Sequence, residues 1–496
     1  MTAAVRPSGG GHLLGRVRAL LAHARDELDE PADQETVRAA TERLDEPLRV
    51  AIAGMVKAGK STLLNAMVGE ELAPTDAGEC TRIVTWYRDG PGYRVLMRLS
   101  DGGQELRPFD RVAGALRVSL GRPTDQVDHL MVEVPSRRLR LQTLIDTPGI
   151  ASLSAKVSAR THAFLEADED RPTQADAVIY LLRHMHGSDM RFLEAFHGDD
   201  LASGSPINAI GVLSRADEIG GCQMDSMDAA ARVAARYHSD DRMRRLCPVI
   251  VPVAGLLAAA GATLREQEFR ALATIASADL ADVVSLLLTA DRFTSGATRI
   301  PVLPAVRHQL ISRLGVFGVR LSVQLIRDGV ATSADDLAKE LFARSGLSRL
   351  NDVLTVQFVN RAQVLKARSA LAVVDSLTRG GRNPGLTAAI EEIRASAHEF
   401  VEVRLLHLLR SSRMPGTPEQ LSEMERLLGG MGASAPERLG LPPDTTPDLL
   451  MAAAQEARSR WARVAEHPLS SREVRTAARA TARSCEGIVA TLGYGA

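Results

Sequence analysis

The chain has 496 residues, which at roughly 100–200 residues per domain predicts two to four folded units. Apolar residues make up 45% and charged residues 24%, close to globular averages, which excludes a disordered or collagen-like chain. A net charge of −1 argues against a strongly basic nucleic-acid binder, and 3% aromatics fits poorly with a β-sandwich or a base-stacking RNA-binding sheet.

At the N-terminus, Leu13, Leu14, Val17, Leu20, Leu21, Ala24 and Leu28 recur at steps of three and four. They form one apolar stripe on a helix, and the stripe requires a partner. The N-terminal segment MTAAVRPSGGGHLLGRVRALLAHARDELDE holds no apolar core long enough for a signal peptide, so none is expected. A second helix is predicted over about Ala32–Leu44. From Leu48 to about Arg292, short apolar runs alternate with longer helical stretches. The predicted strands are Leu48–Ala53, Arg82–Arg88, Tyr93–Leu99, His129–Val134, Thr143–Ile145, Ala177–Leu182, Asn208–Leu213 and Val249–Val253, with an inserted helix over Arg107–Pro123. This alternation predicts an α/β domain with a mainly parallel sheet. The longest apolar run, Val249–Ala262, is broken by Pro252 and Gly255. It falls short of the about 20 residues of a transmembrane helix, so any membrane role is expected to be peripheral.

Beyond Pro301 the strand signals fade. Val306, Leu310, Ile311, Leu314, Phe317, Leu321 and Leu325 predict a long helix, with Gly315 and Gly318 where a neighbour can approach closely. Ser333 and Asp336 form a capping box. An apolar face then runs to Leu377, where Arg379-Gly-Gly-Arg-Asn-Pro-Gly385 breaks it. Further helices are predicted over about 386–409, 448–465 and 470–492. Val474, Ala478, Cys485, Ile488 and Leu492 line one face of the last helix, which is the expected partner of the N-terminal stripe. The expected units are residues 1–47 (N-terminal helices), 48–292 (α/β domain), 293–465 (helical region) and 466–496 (a helix returning to the first). The four cysteines form no CxxC pair, so a reducing, cytoplasmic compartment is expected.

Gly54-Met-Val-Lys-Ala-Gly-Lys-Ser61 matches GxxxxGK[ST] between a strand and a helix, the context in which a phosphate-binding loop works. Its backbone N–H groups, over Gly54, Lys57, Ala58, Gly59 and on to Thr62, cradle phosphate oxygens at a helix N-terminus. Lys60 bridges the β- and γ-phosphates, and the Ser61 hydroxyl holds Mg²⁺. About 90 residues on, Leu144-Ile-Asp-Thr-Pro-Gly149 ends an apolar strand in DTPG. Asp146 can hold a magnesium-bound water, and the Gly149 N–H can reach a γ-phosphate. Thr81, ahead of Thr75 and Thr85, stands where a hydroxyl ligates Mg²⁺. Ile210-Gly-Val-Leu-Ser-Arg-Ala-Asp217 is an apolar strand followed by SRAD. Asp217 can accept from guanine N1–H and the 2-amino group, both absent in adenine, and each missing buried hydrogen bond costs about 1–3 kcal/mol. Ser214 precedes it, the Arg215 stem is expected to lie on the base, and Val253-Ala254-Gly255 closes over it. His184-Met-His186 lacks a third metal ligand by spacing, and nothing resembles a Ser–His–Asp set.

The ordered set GMVKAGKS, Thr81, DTPG and SRAD in an α/β domain resembles a GTPase of the TRAFAC group. With helices before the first strand and a long helical half after the last, it resembles the dynamin-like proteins. The segments KAGKSTLLNAMVGEELAPTDAGECTRIVTWYRDGP, GVLSRADEIG, VPVAGLLAAAGATLRE and ERLGLPPD resemble the actinobacterial isoniazid-inducible subgroup. The resemblance implies a P-loop GTPase head with GTP or GDP and Mg²⁺, joined to a helical neck and trunk. It implies head-to-head dimers, a second dynamin-like protein as a partner, and peripheral contact with anionic lipid on the inner face of the plasma membrane. Nucleic acid is not expected as a partner. The chain departs from dynamins at Val56, where they carry a glutamine, and Ile150 stands where small GTPases carry theirs. Lys57 takes the place of an arginine finger in the related guanylate-binding proteins, so Lys57 joins Lys60, Ser61 and Thr81 as candidate catalytic residues. The alternatives are an Era-like ribosome-associated GTPase, which would want a basic RNA-binding module, and a GTP-binding scaffold with little turnover.

Overall fold

The computed structural model describes residues 10–73, 83–112, 115–148, 174–183, 189–191, 193–194, 208–247, 249–379, 383–410 and 414–493. Thr75, Cys80, Thr81, Gly149, Ile150, the His184–His186 segment and Gly380–Arg382 lie outside them.

Leu48–Gly54 (β1) is apolar on both faces, as a strand buried between two helical layers must be. The other strands are β2 (Val84–Asp89), β3 (Arg94–Leu99), β4 (Gln104–Arg107), β5 (Phe109–Val112), β6 (Ala115–Val118), β7 (Val127–Val134), β8 (Gln142–Asp146), β9 (Ala177–Leu182), β10 (Ala209–Ser214) and β11 (Ile250–Val253). Nine of them form one sheet in the order β11-β10-β9-β1-β8-β2-β7-β3-β4. From β11 to β8 every pairing is parallel. β2 then joins β8 antiparallel, and an antiparallel β7-β3-β4 flank completes the sheet. The sheet is therefore mixed, with a parallel half that carries the phosphate loop.

The expected inserted helix over Arg107–Pro123 is absent. β5 and β6 pair as a hairpin, Phe109 opposite Val118. Leu116, Val118 and Leu120 are buried while Arg117 and Ser119 are exposed. That is period-two patterning, which a strand satisfies and a helix cannot.

The described helices are α1 (Gly10–Glu27), α2 (Pro31–Arg43), α3 (Lys60–Val68), α4 (Ser226–Ser239), α5 (Asp241–Leu246), α6 (Gly255–Thr263), α7 (Glu266–Ala276), α8 (Leu280–Leu286), α9 (Ala290–Ser295), α10 (Pro304–Arg327), α11 (Ala334–Arg344), α12 (Leu347–Gln357), α13 (Ala362–Thr378), α14 (Pro384–Ser396), α15 (His398–Arg410), α16 (Pro418–Leu427), α17 (Ala435–Leu439), α18 (Pro447–Glu466) and α19 (Arg472–Gly493). Leu13, Val17, Leu20, Leu21 and Ala24 of α1 are buried, as the stripe predicts. Their cover differs from expectation. α1 packs on α13, α2 and α14, and the C-terminal helix α19 packs on α18. Ala477, Ala478, Cys485 and Ile488 of α19 share a core with Ala454, Ala457 and Trp461 of α18. Alanine facing alanine permits close approach across a hairpin of adjacent helices, whereas the leucines of α1 mesh with Leu365, Leu371 and Val374. Thr481, the polar interruption of α19, donates to the Ala477 carbonyl at 2.9 Å.

The α1–α13 core is continuous with the core of the sheet, where Val50, Ile52, Leu63 and Leu64 belong to the same buried cluster. Polar clips reinforce the junction. Asp176, before β9, accepts from Arg43 at 3.0 Å and from the Arg49 N–H at 2.9 Å, and Lys366 of α13 donates to the Leu44 carbonyl at 3.0 Å.

The chain has two tryptophans, Trp86 in the sheet core and Trp461 in the α18–α19 core. Removing a fully buried leucine costs about 2–5 kcal/mol. Leu21→Ala is therefore expected to lower the urea midpoint reported by Trp86 in a Trp461→Phe background and to leave that of Trp461 in a Trp86→Phe background unchanged. Equal shifts would place α1 against α19 instead.

Candidate functional site

β1 runs into the loop 54–59, and α3 leaves it. Gly54 has φ +148°, and a methyl group there would stand 2.7 Å from the Leu181 carbonyl oxygen of β9. Only glycine lets the loop leave the sheet at this point. The Ala58 N–H closes a turn onto the Met55 carbonyl at 3.1 Å. Gly59 caps α3 without a side-chain bond, so the first N–H groups of α3 remain available to an anion. Lys57 is exposed with φ +63°, a conformation uncommon outside glycine, and Val56 beside it is exposed. Lys60 is buried, and its Nζ donates to the Gly54 and Met55 carbonyls at 3.2 and 3.3 Å. Burial pulls its pKa down, and Asp146 opposes the shift.

Asp146 stands at the tip of β8, registered against Ile52 of β1. Its Oδ2 accepts from Ser61 Oγ at 3.2 Å, and its Oδ1 is buried with no hydrogen-bond partner among the described residues. Burial pushes this carboxyl up to about 6, against the pull of Lys60 and the Ser61 bond. A hydroxyl beside a carboxylate with an orphaned buried oxygen fits a hard, hydrated divalent cation. Thr147 fixes the strand end by donating its hydroxyl to the Ile52 carbonyl at 2.9 Å. Thus Gly54 through Ser61 and Asp146 come together as the spacing predicts.

The SRAD turn, where the sequence predicts the base to be read, lies at the tip of β10. Ser214 donates to the Leu182 carbonyl at 3.1 Å, and Asp217 is buried one turn further on. Burial, with Glu218 adding to it, pushes Asp217 up to about 6. Arg215, at φ +52°, does something the sequence did not predict. Its guanidinium donates to Glu218 at 2.7 Å and to the Lys57 carbonyl at 3.2 Å, so it ties the SRAD turn to the loop 54–59. Arg183 holds the other Glu218 oxygen at 3.0 Å. The carboxylate adjacent to SRAD is the signal that could have announced this network. Ala254 is buried, and a methyl group on Gly255 would stand 3.3 Å from Thr62 Cγ2, so the loop after β11 packs on α3. Its Ala254 N–H is held by the Ser345 carbonyl at 2.9 Å, a partner that no motif marks.

A glycine-built loop after β1, a hydroxyl–carboxylate pair at the tip of β8 and a buried carboxylate after β10 stand at one end of the parallel half of the sheet, the arrangement of a P-loop GTPase. The pattern described as "Dynamin family" matches residues 50–190. The isoniazid-induced protein IniC of Mycobacterium tuberculosis (strain H37Rv) is 41% identical over 456 residues, 90% of this chain and 91% of that protein. The bacterial dynamin-like protein of Nostoc punctiforme is 31% identical over 137 residues, 25% of this chain and 20% of that one. A solved structure of an oligomerised bacterial dynamin pair aligns over 99% of this chain and 81% of that chain at 12% identity, with a TM-score of 0.34. The chain belongs to the dynamin family and is a dynamin-like GTPase.

An ordinary aspartate ionises near 4, in the unfolded chain as in water. Asp217 ionises near 6 in the fold. Its contribution to stability is therefore full below pH 4 and lost as pH rises through 6. Guanine donors bind the ionised form. The GTP-to-ATP affinity ratio, in which phosphate ionisation cancels, is expected to fall below a break near pH 6 and level off above it. Calorimetric titrations from pH 5 to pH 8 check this, and a ratio flat across that range would show that Asp217 does not face the base.

Proposed function

We propose that the protein is a mechanochemical GTPase that binds GTP with Mg²⁺, pairs its heads in the nucleotide-bound state, and transmits hydrolysis to its helical half at a membrane surface. The observation that carries this reading is the unbroken core from Leu63 and Leu64 of the phosphate-loop helix into the α1–α13 pair. A displacement of α3 cannot be absorbed by a flexible linker there, because close-packed side chains transmit strain.

In the site, Lys60 bridges the β- and γ-phosphates, and the α3 N–H groups hold the same oxygens. Ser61 and Asp146, with Thr81 from the segment after α3, hold the cation, and Gly149 reaches the γ-phosphate. When bound, the cation neutralises charge developing on the phosphates. Asp217 reads the guanine edge, while Val253, Ala254 and Gly255 close the loop over it. Neither Val56 nor Ile150 has a side chain that can orient water, so the monomer hydrolyses slowly. Lys57, exposed at the lip of the loop, offsets charge at the β–γ bridge when a second head covers it. A second dynamin-like chain as hetero-partner and anionic lipid as the surface belong to the same proposal. No described helix is long and apolar enough to cross a membrane, so contact with lipid would be peripheral, on the inner face of the plasma membrane.

Sizing the protein with GDP, with a non-hydrolysable GTP analogue and with a transition-state mimic, each with and without anionic liposomes, tests the reading. A dimer only with the triphosphate or the mimic, and co-sedimentation with liposomes, is expected. Turnover per head should rise with protein concentration, and Lys57→Ala should remove that rise, by about tenfold or more if it acts as a finger. Full concentration-dependent turnover in Lys57→Ala would exclude the role.

Asp217→Asn tests the base assignment separately. Xanthine keeps N1–H and carries a carbonyl where guanine carries the 2-amino group, so an amide can donate to one and accept from the other. The variant is expected to lose GTP affinity by at least about tenfold and to gain affinity for XTP. Unchanged GTP binding would place the base elsewhere.

A further inference from the structure

Helix α10 does not run straight past the head. At Gly315 the backbone takes φ 68°, ψ 175°, inside a helix that is regular on both sides. This region of backbone space is essentially reserved for glycine, and such outliers persist only where the surroundings enforce them. The surroundings do so here. Arg313, just before the bend, pairs with Glu71 and with Glu268 at 2.5 Å, and donates to the Thr263 carbonyl and hydroxyl, each at 2.9 Å. Just after it, Phe317 and Gly318 are buried, and a methyl group on Gly318 would stand 2.9 Å from Leu257 Cδ1.

The bend occurs where α10 passes the base end of the site. A methyl group on Gly315 would lie 3.6 Å from Asp217 Oδ2 and 3.4 Å from Leu256 Cδ1. Leu256 belongs to the first turn of α6, next to Gly255 of the loop that closes over the base. The α10 backbone at Gly315 thus lies beside the carboxylate, with the Leu256 side chain next to the same position.

We propose that Gly315 is a specificity-positioning residue: the bend it permits lays the α10 backbone against Asp217 and, with Leu256, walls the guanine-reading carboxylate off from water. This rests on the assignment of Asp217 to the base. A carboxylate open to solvent replaces missing base donors with water and discriminates weakly. A walled carboxylate cannot, so adenine leaves it unpaired, and a site built to hydrogen-bond a group rejects the analogue lacking it far more strongly. In this arrangement Asp217 supplies the acceptor atoms, and the α10 bend sets how much the wrong purine loses.

The test measures affinities for GTP, ATP and tripolyphosphate in the full chain and in two variants. Gly315→Ala cannot hold the bend without strain. It is expected to lower the GTP-to-ATP ratio by about tenfold while leaving tripolyphosphate affinity, which reads only the phosphate loop, within about twofold. Leu256→Ala opens the wall without backbone strain and should lower the ratio by about threefold. If Gly315→Ala fails to fold, Leu256→Ala decides. A wild-type ratio in the folded variants would overturn the proposal and reduce the bend to helix packing. Absence of guanine preference in the wild-type chain would instead overturn the Asp217 assignment itself.

Discussion

The structure depends on a charge pair that the chain itself leaves short of partners. Lys60 and Asp146 are buried together at the foot of the loop 54–59. An ammonium has three donors, and here two of them go to backbone carbonyls at the long end of hydrogen-bond range. Asp146 has one oxygen on Ser61 and, among the described residues, no partner for the other. Burying charge without full pairing is costly. The fold sustains it because β1 is locked between β8 and β9 and cannot relax the loop away. In the proposed reading, a triphosphate with a hydrated cation would supply what both groups lack. The local backbone outliers, Gly54 and Lys57, lie in the same few residues, where strain is held by the sheet beneath.

From that pair the architecture extends in two directions. Toward the N-terminus, the α3 core merges with α1 and α13, and the clips at Asp176 and Lys366 fix the register of the junction. Toward the base, α6 continues from the closing loop into a second core with α7, α10 and α11. The head is therefore gripped by helices on two sides, one contacting the phosphate-loop helix and the other contacting the base loop. The C-terminal helices α18 and α19 belong to a further core that excludes both.

How far the sequence discloses this follows from how local each feature is. The cradle was legible because one continuous segment, Gly54–Ser61, contains its strand exit, turn and helix cap. The positions of Asp146 and Asp217 were legible because Asp146 follows the apolar pair Leu144 and Ile145 at the end of β8, and Asp217 follows shortly after the apolar strand β10. The partner of α1 was not. Two helices at opposite ends of the chain offered compatible stripes, and the choice turned on side-chain volume, leucine against leucine and alanine against alanine. The hairpin Phe109–Val118 was misread because interspersed arginines mask an alternation only a few residues long. For Arg215 the sequence suggested only that its stem lies on the base; what it did not disclose is that the planar fork takes a carboxylate and a carbonyl, which a lysine's point charge would match less well.

The Arg215 contact also bears on how the two ends of the site communicate. Its donation to the Lys57 carbonyl makes the loop 54–59 and the SRAD turn one hydrogen-bonded unit. The Arg313–Glu71 pair adds α10 to that unit from the other side, at the residues that follow the phosphate-loop helix. Both arginines are held by carboxylates, Glu218 and Glu268, that make no contact of their own with a nucleotide in this reading. Each carboxylate orients a guanidinium, and each guanidinium spans elements that are distant in sequence. Rigid elements joined at such points would move together, so in the proposed reading a change at the phosphates would reach α10 through packed, hydrogen-bonded structure rather than through a hinge loop.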